Sequence, residues 1–172
     1  QLAHALATVA NDGVAYQPHL VRAIRDAGAR ALRAVEARPT PTVGLEPEHL
    51  AVIKNALVGV GREGTGAAAF AKTAYVSAGK TGTAQVYSLK GEKYVHSRVD
   101  ERLRDHAWYI AYAPADAPRI ALAVLVENGG FGAQAAAPIA RQVLDYYLVG
   151  ETKAGPAPAV AVDSAAVLGV SA

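Results

Sequence analysis

The stretch YVSAGKTGTAQVY, residues 75–87, constrains the fold more than any other part of the sequence. It places Ser77 three residues before Lys80, and the same lysine belongs to a Gly-Lys-Thr triplet. The first pattern is typical of a nucleophile with its base, and the second is typical of a phosphate-binding loop. Both interpretations require a helix at a defined place, whereas the residues after Gly82 alternate as in a strand.

A phosphate-binding loop of the P-loop type has the spacing G-x-x-x-x-G-K-[ST] between a strand and a helix. With Lys80 as the lysine of that motif, the first glycine would fall at Ala74. The strand-like continuation after Gly82 also removes the helix N-terminus that would receive a phosphate. A nucleotide-binding domain is therefore kept only as a remote alternative.

The Ser-x-x-Lys interpretation needs Ser77 and Lys80 on one face of a helix. In a strand, residues three apart point to opposite faces and lie roughly 10 Å apart, at about 3.3 Å per residue. Lys80 could then not take a proton from Ser77. We expect Ser77 to be an ordinary strand residue.

The third interpretation makes residues 80–83 one wall of an active site. Thr81 and Thr83 would share a face and offer two hydroxyls to a carboxylate, while Lys80 would extend from the other face. Gly82 would leave room for a substrate, and the backbone N–H of Thr83 could form half of an oxyanion hole. A plain Gly-Thr turn at the start of a strand stays open on the local residues alone.

Apolar spacing elsewhere predicts three helices. The first covers residues 2–9, the second begins at Pro47 and runs into the glycine-rich residues 59–66, and the third follows Pro138 and ends near Gly150. The glycines among residues 59–66, at the end of the second helix, are interpreted as a flexible segment that leads to the strand carrying Lys80.

Three antiparallel strands are predicted beside these helices, at Ala74 to Tyr87, Trp108 to Ala113 and Ile120 to Glu127. Residues 14–45 predict two short strands or irregular segments. The fold class is thus α+β, with helices packed on a small antiparallel sheet over residues 1–150. The Ala, Pro and Val-rich residues 151–172 predict a disordered tail.

The composition excludes several classes of function. A net charge of +2 with interleaved signs gives no basic surface for nucleic acid. The absence of cysteine excludes disulfides and thiolate metal sites. The longest aliphatic run, Ile120 to Val126, is far shorter than the roughly 20 residues that span a bilayer. The chain begins inside a helical pattern, from which we expect a preceding segment.

A few other residues could have a functional role, but a structural role is the stronger interpretation for each of them. His106 stands next to Asp105, yet no second histidine lies at metal-ligand spacing, so a hydrogen-bonding structural role is expected. Trp108, Tyr109 and Tyr112 are expected to pack in the core. The charged residues 90–105 predict a solvated loop beside the substrate groove expected along residues 80–83.

The segment AGKTGTAQV, residues 78–86, resembles the Lys-Thr-Gly motif of penicillin-binding proteins, the D,D-transpeptidases that cross-link peptidoglycan and share a fold with serine β-lactamases. Residues 1–21, 102–116, 120–130 and 135–148 resemble the helix after the second motif, the last strands and the closing helix of that family. The segments RDHAW, VENGG and AAPIARQVLDYYL are most similar to the elongation-specific branch of the family.

The resemblance implies serine acyl transfer on D-Ala-D-Ala stem peptides, with β-lactams trapping the serine. It implies that Lys80 and the Thr83 N–H are catalytic and that Thr81, Gly82 and Thr83 bind substrate. The family's nucleophile lies in a Ser-x-x-Lys motif on a helix and is followed by Ser-x-Asn. Here the only Ser-x-x-Lys is at Ser77 and Ser-x-Asn does not occur. We therefore expect the C-terminal half of a transpeptidase domain, inactive alone.

The implied partners are stem peptides, β-lactams, the missing N-terminal half of the same domain and proteins of the elongation machinery. Exposed apolar surface could also support a dimer. The resemblance implies no metal or organic cofactor, and it implies a periplasmic domain of an inner-membrane-anchored protein whose anchor lies outside this chain. The alternative from another class is a noncatalytic peptidoglycan or β-lactam-binding module that uses the strand edge at residues 80–83.

Overall fold

The computed structural model describes residues 1–28, 30–40, 44–86 and 99–150 of the 172-residue chain. The helices of this part are α1 (Leu2–Ala10), α2 (Pro47–Arg62), α3 (Ala67–Phe70) and α4 (Gly132–Leu148). Its strands are β1 (Ala15–Tyr16), β2 (Ala23–Ile24), β3 (Arg33–Ala34), β4 (Pro39–Thr40), β5 (Ala78–Ala84), β6 (His106–Ala113) and β7 (Ile120–Val126). No helix in these ranges is long and apolar enough to cross a membrane.

The main sheet is antiparallel, in the order β5-β6-β7. Alternate residues of β6 are completely buried on the face that α4 covers, and the helix meets them with small side chains and one leucine. Small residues on both surfaces let the helix approach the sheet closely. The residues that form this core are Phe70, Ala107, Tyr109, Ala111, Ala113, Ala136, Ala137, Ala140 and Leu144.

The opposite face of the sheet packs against α1 and α2. Tyr112 and Ala78 are completely buried there, in a cluster with Leu6 and Ala10 of α1 and with partly buried residues of α2. Helices therefore cover both faces of the sheet. This arrangement confirms the predicted α+β class with helices packed on a small antiparallel sheet.

Several predicted element boundaries are wrong. β5 begins at Ala78, four residues later than predicted, and β6 begins at His106, two residues earlier. α4 begins at Gly132, so Pro138 lies inside the helix and does not start it. A proline inside a helix costs about 3 kcal/mol. The buried contacts of Ala136 and Ala137 with β6 explain why the helix nevertheless begins earlier.

Residues 14–40 form two small antiparallel pairs, β1 with β4 and β2 with β3. The prediction of two short strands or irregular segments is correct in kind but misses two of the four strands. The β2–β3 hairpin packs against no other helix or strand of the described ranges. The predicted tail at 151–172 and most of the predicted loop at 90–105 lie outside the described residues.

Candidate active site

β5 carries the predicted site residues along one edge of the main sheet. In the register with β6, Lys80 pairs with Ile110, whereas Thr81 and Thr83 pair with Tyr109 and Ala107. Cross-strand partners share a face, so the two threonines lie on the face that α4 covers and Lys80 lies on the other. The predicted division of these side chains between the two faces is therefore present in the structure.

The environment of β5 changes from buried to exposed along the strand. Ala78 and Gly79 are buried, Thr81 and Gly82 are half-buried, and Thr83 and Ala84 are exposed. The Nζ of Lys80 is exposed and donates a hydrogen bond of 2.7 Å to the carbonyl oxygen of Thr81. The accessible half of the strand is thus the half that follows the lysine.

The sheet leaves one long edge of β5 without a strand partner within the described residues. α2 packs against β5, with Gly61 next to Ser77 at the buried start of the strand. The edge is therefore closed near Ser77 and accessible near Thr83. An accessible strand edge can bind an extended peptide through main-chain hydrogen bonds.

Thr65 lies at the candidate site, and the sequence patterns did not identify it. Its hydroxyl oxygen lies 2.8 Å from the hydroxyl oxygen of Thr81, and either group can donate. The signal in the sequence is weak, a threonine between Gly64 and Gly66 at the end of a helical pattern. The contact places the end of α2 directly beside the Lys-Thr-Gly segment.

Backbone hydrogen bonds define the turn that carries Thr65 at the glycine-rich end of α2, and the flexibility of this approach stays a prediction. The N–H of Gly64 donates to the carbonyl of Gly59, and the N–H of Gly66 donates to that of Val60. A Cβ at Gly64 would lie 2.8 Å from the Cα of Val60, so this position has no room for a side chain. These hydrogen bonds satisfy carbonyls at the end of α2 and define the path of the turn.

Tyr109 supports the site from the α4 side of the sheet. Its ring stacks on Phe70 with centroids 5.5 Å apart, and its hydroxyl lies beneath Gly66 and Gly79. A Cβ at Gly79 would be 2.6 Å from this hydroxyl. Burial raises the pKa of Tyr109 to about 12. Gly79 is thus required by the close approach of Tyr109.

Gly82 is also a packing residue in this structure. A Cβ at Gly82 would lie 3.1 Å from the Cβ of Trp108, and the first residue of α4, Gly132, approaches the backbone of Gly82. A Cβ at Gly132 would overlap the carbonyl oxygen of Trp108. The absence of a side chain at Gly82 therefore allows the close packing of Trp108, in addition to any room it leaves for a substrate, and the absence of one at Gly132 lets α4 begin against the backbone of β5.

Ser77 precedes β5 and is not a residue of the strand, contrary to the prediction. It is buried, its hydroxyl has no hydrogen-bond partner within the described residues, and a Cβ at Gly61 would lie 3.3 Å from that hydroxyl. Lys80 instead contacts the carbonyl of Thr81. The structure does not bring Ser77 and Lys80 together as a nucleophile and its base.

The Gly-Lys-Thr triplet is also not a phosphate-binding loop. β5 continues through Lys80 and Thr83 to Ala84, so no helix N-terminus follows the triplet. A groove of about 1080 Å³ is lined by residues that include Arg62, Ser77 and Pro114. None of the residues 80–83 lines this groove.

The structure confirms the structural interpretation of His106. Its Nδ1 accepts a hydrogen bond of 2.8 Å from the backbone N–H of Asn128, so the proton of the neutral ring is on Nε2. Tyr109 and Tyr112 are completely buried, as predicted. Trp108 is half-buried beside Gly82.

A sheet with Lys-Thr-Gly on its accessible edge strand and a closing helix on one face defines the class of protein. Residues 1–145 match the penicillin binding protein transpeptidase domain. The chain belongs to this family of transpeptidases.

Two curated relatives indicate the branch of the family to which the chain is most similar. It is 41% identical over 152 residues to the peptidoglycan D,D-transpeptidase MrdA of Haemophilus influenzae, a match that covers 86% of this chain and 23% of the relative. It is 34% identical over 171 residues to MrdA of Escherichia coli, covering 95% of this chain and 27% of the relative. The chain thus spans about a quarter of the length of these relatives.

Two solved structures agree with this placement. One is Pseudomonas aeruginosa PBP2 in complex with WCK 5153, with a TM-score of 0.63 and 34% identity over 87% of this chain and 29% of that chain. The other is the imipenem acyl-enzyme complex of penicillin-binding protein A from M. tuberculosis, with a TM-score of 0.64 and 33% identity over 85% and 29% of the two chains. The predicted resemblance to the elongation-specific branch, penicillin-binding protein 2, is confirmed.

Proposed function

We propose that this chain forms the substrate-binding side of the active site of a peptidoglycan D,D-transpeptidase. The observation that carries the proposal is the accessible half of β5, where Thr81 and Thr83 share one face and Lys80 extends from the other. The solved acyl-enzyme complex of a relative with imipenem supports a β-lactam ligand for the same fold. Stem peptides that end in D-Ala-D-Ala are the proposed substrates.

In this proposal the two threonine hydroxyls hold the ligand's terminal carboxylate. The charge-assisted hydrogen bonds of a carboxylate are roughly twice as strong as neutral ones, which favours ligands that carry this group. Lys80 is on the same strand, and its positive charge stabilises the negative charge that develops at the reacting centre. The N–H of Thr83 is proposed to donate to the oxyanion of the tetrahedral intermediate.

The covalent step needs a nucleophile, and the part of the chain that the structure describes does not bring a serine to Lys80 as its partner. A serine oxygen attacks the carbonyl carbon of the penultimate D-alanine, and the peptide bond breaks so that D-alanine leaves with a proton on its nitrogen. The amine of a second stem then attacks the ester and releases the serine. We propose that a Ser-x-x-Lys helix and a Ser-x-Asn segment from the N-terminal half of the same domain supply these groups, and that residues 1–150 alone are inactive.

The remaining proposals concern where the protein acts and with what. We propose a periplasmic domain of an inner-membrane-anchored protein that works with the elongation machinery. Exposed apolar side chains such as Leu20 and Leu32 support the proposal that isolated copies of this chain associate as dimers. Analytical ultracentrifugation of the chain tests this last point, and a monomer at high concentration contradicts it.

The function is tested with a chimera in which residues 1–150 replace the matching segment of Haemophilus influenzae MrdA. We expect intact-mass spectrometry to show a penicilloyl adduct on the chimera after incubation with benzylpenicillin. In the chimera, Lys80→Ala is expected to slow this acylation by at least about tenfold, because a cation near the reacting centre is lost. Thr8→Val, on α1, is the matched control and is expected to change the rate less than about twofold.

The 172-residue chain is treated with benzylpenicillin in parallel and is expected to keep its mass. A chimera that is folded by circular dichroism yet stays unmodified contradicts the proposed function. A penicilloyl adduct on the isolated chain, mapped to Ser77, contradicts the assignment of the nucleophile to another segment. Reversible muropeptide binding by the chimera without acylation would favour a noncatalytic peptidoglycan-binding module.

A further inference from the structure

We propose that Thr65 is a positioning residue that orients the hydroxyl of Thr81 toward a ligand carboxylate. This inference rests on the proposed function, because it concerns the same carboxylate-binding face of β5. The observation that carries it is the 2.8 Å contact between the two hydroxyl oxygens. Thr65 belongs to no motif by which the sequence resembles the family.

The number of hydroxyl hydrogens determines which of the two threonines donates when a ligand is bound. Each hydroxyl has one hydrogen, so only one of the two can lie between the oxygens. When Thr65 donates to Thr81, the hydrogen of Thr81 is free for another acceptor. An ionised carboxylate only accepts hydrogen bonds, so it selects this arrangement. The result is a chain of two donors, from Thr65 to Thr81 and from Thr81 to the ligand, in which each bond strengthens the other.

The position of Thr65 is determined by the fold on both sides of it. Gly64 and Gly66 are hydrogen-bonded to carbonyls of α2, and the N–H of Ala67 donates to the carbonyl of Gly64. A Cβ at Gly66 would lie 3.1 Å from the buried hydroxyl of Tyr109, so the turn rests directly on the core. The β-branched side chain of threonine is also restricted at χ1. Thr65 can therefore hold Thr81 without itself being ordered by the ligand.

Two substitutions at Thr65 distinguish the effect of its hydroxyl from the effect of its branched shape. Thr65→Val keeps the branched shape and removes the donor, so the hydroxyl of Thr81 becomes free to rotate. Thr65→Ser keeps the donor. Thr65 is exposed, so neither substitution is expected to unfold the chain. Thr8→Val is the control, since the hydroxyl of Thr8 donates to the carbonyl of His4 within its own helix.

The test compares a ligand that has the carboxylate with one that lacks it. The 172-residue chain is titrated with diacetyl-Lys-D-Ala-D-Ala and with its C-terminal amide, and the shifts of the Thr81 amide and methyl signals are followed by NMR. We expect Thr65→Val to weaken binding of the acid by about five- to tenfold and to leave the amide within about twofold. Thr65→Ser and Thr8→Val are expected to stay within about threefold of the unchanged chain for the acid.

The chimera described above provides the kinetic counterpart. Its acylation by benzylpenicillin and by benzylpenicillin methyl ester is measured, and Thr65→Val is expected to slow only the reaction with the acid. Equal losses for acid and ester, or for acid and amide, indicate a merely structural role and overturn the inference, as does no loss at all. If the unchanged proteins respond to the acid in neither assay, the proposed function itself fails.

Discussion

The hydroxyl of Tyr75 donates a hydrogen bond of 2.8 Å to a carboxylate oxygen of Asp145, a residue 70 positions later in the chain. The other oxygen of Asp145 accepts from the Nε of Arg141 at 2.6 Å. Arg141 also donates to the carbonyls of Ala69 and Ala71. These contacts join α4 to α3 and to the segment that leads into β5, so they help to hold the strand of the candidate active site.

The first prediction concerns this polar network. Tyr75→Phe removes the donor to a charged acceptor, and we expect the free energy of unfolding to fall by about 1–2 kcal/mol, because the site is only half-buried. Tyr146→Phe is the matched control, since Tyr146 follows Asp145 on α4 and is 83% exposed. Urea denaturation monitored by circular dichroism measures both. Equal, small changes in the two variants would show that the network contributes little.

The second prediction is a loss of stability at alkaline pH. Burial raises the pKa of Tyr109 to about 12, and burial together with the hydrogen bond to Asp145 raises that of Tyr75. Well below the ordinary tyrosine pKa of about 10, both phenols are protonated in the folded and unfolded chains. Above about pH 10 the unfolded chain releases these protons first, so it binds fewer protons than the folded chain and stability falls as pH rises.

This pH dependence is measured as the free energy of unfolding between about pH 8 and about pH 11. We expect a steeper loss above about pH 10 in the unchanged chain than in Tyr75→Phe, which lacks one of the titrating groups. Tyr146→Phe should keep the full slope. A curve that is flat over this range, or that rises, is inconsistent with the raised pKa values.

The third prediction concerns the buried hydroxyl of Tyr109, which has no hydrogen-bond partner within the described residues. A buried polar group without a partner costs about 1–3 kcal/mol. Tyr109→Phe keeps the ring against Phe70, so we expect stability at neutral pH to stay constant or to rise by about 1 kcal/mol. Thermal unfolding measures this. A clear loss of stability would reveal a hydrogen bond that the phenol makes in solution.

The fourth prediction concerns the packing of Gly79, a residue of β5, against Tyr109 of β6. A Cβ at this position would lie 2.6 Å from the hydroxyl oxygen of Tyr109 and 2.7 Å from the carbonyl oxygen of Ile110. Gly79→Ala is expected to cost about 3 kcal/mol or more, because one neighbour is backbone that cannot move away. Gly44→Ala is the control, because no described residue other than its chain neighbours lies within 4 Å of the new Cβ. Similar melting temperatures for the two variants would contradict the close approach.

The fifth prediction concerns Asn128, which has a φ of 53° in the turn between β7 and α4. Its side-chain amide donates to the carbonyls of Arg102 and Arg104 at 3.1 and 2.8 Å. Asn128→Asp places acceptor oxygens against these carbonyls, whereas Asn128→Gly only removes the donor and suits the positive φ. We expect the aspartate variant to lose about 2 kcal/mol and the glycine variant less. The order of their urea midpoints checks this, and the reverse order would be contrary to it.

Much of the fold could be predicted from local patterns. The alternation after Gly82 identified Lys80 to Thr83 as a strand and divided Lys80 from the two threonines, because side chains in a strand point to opposite faces in turn. Apolar spacing identified the helix at Pro47, and the branched residues from Ile120 identified β7. These features depend on near neighbours in the chain, so the sequence was sufficient for them.

Other features were decided only when distant segments packed together. The start of α4 at Gly132 depends on burial against β6, which outweighs the local signal of Pro138. The contact of Thr65 with Thr81 depends on where α2 ends, on the hydrogen bonds of its last turn and on the position of Tyr109 below it. Local periodicity in the sequence indicates which residues share a face of a helix or strand. The distance between two such elements depends on all the side chains packed between them, which only the tertiary structure determines.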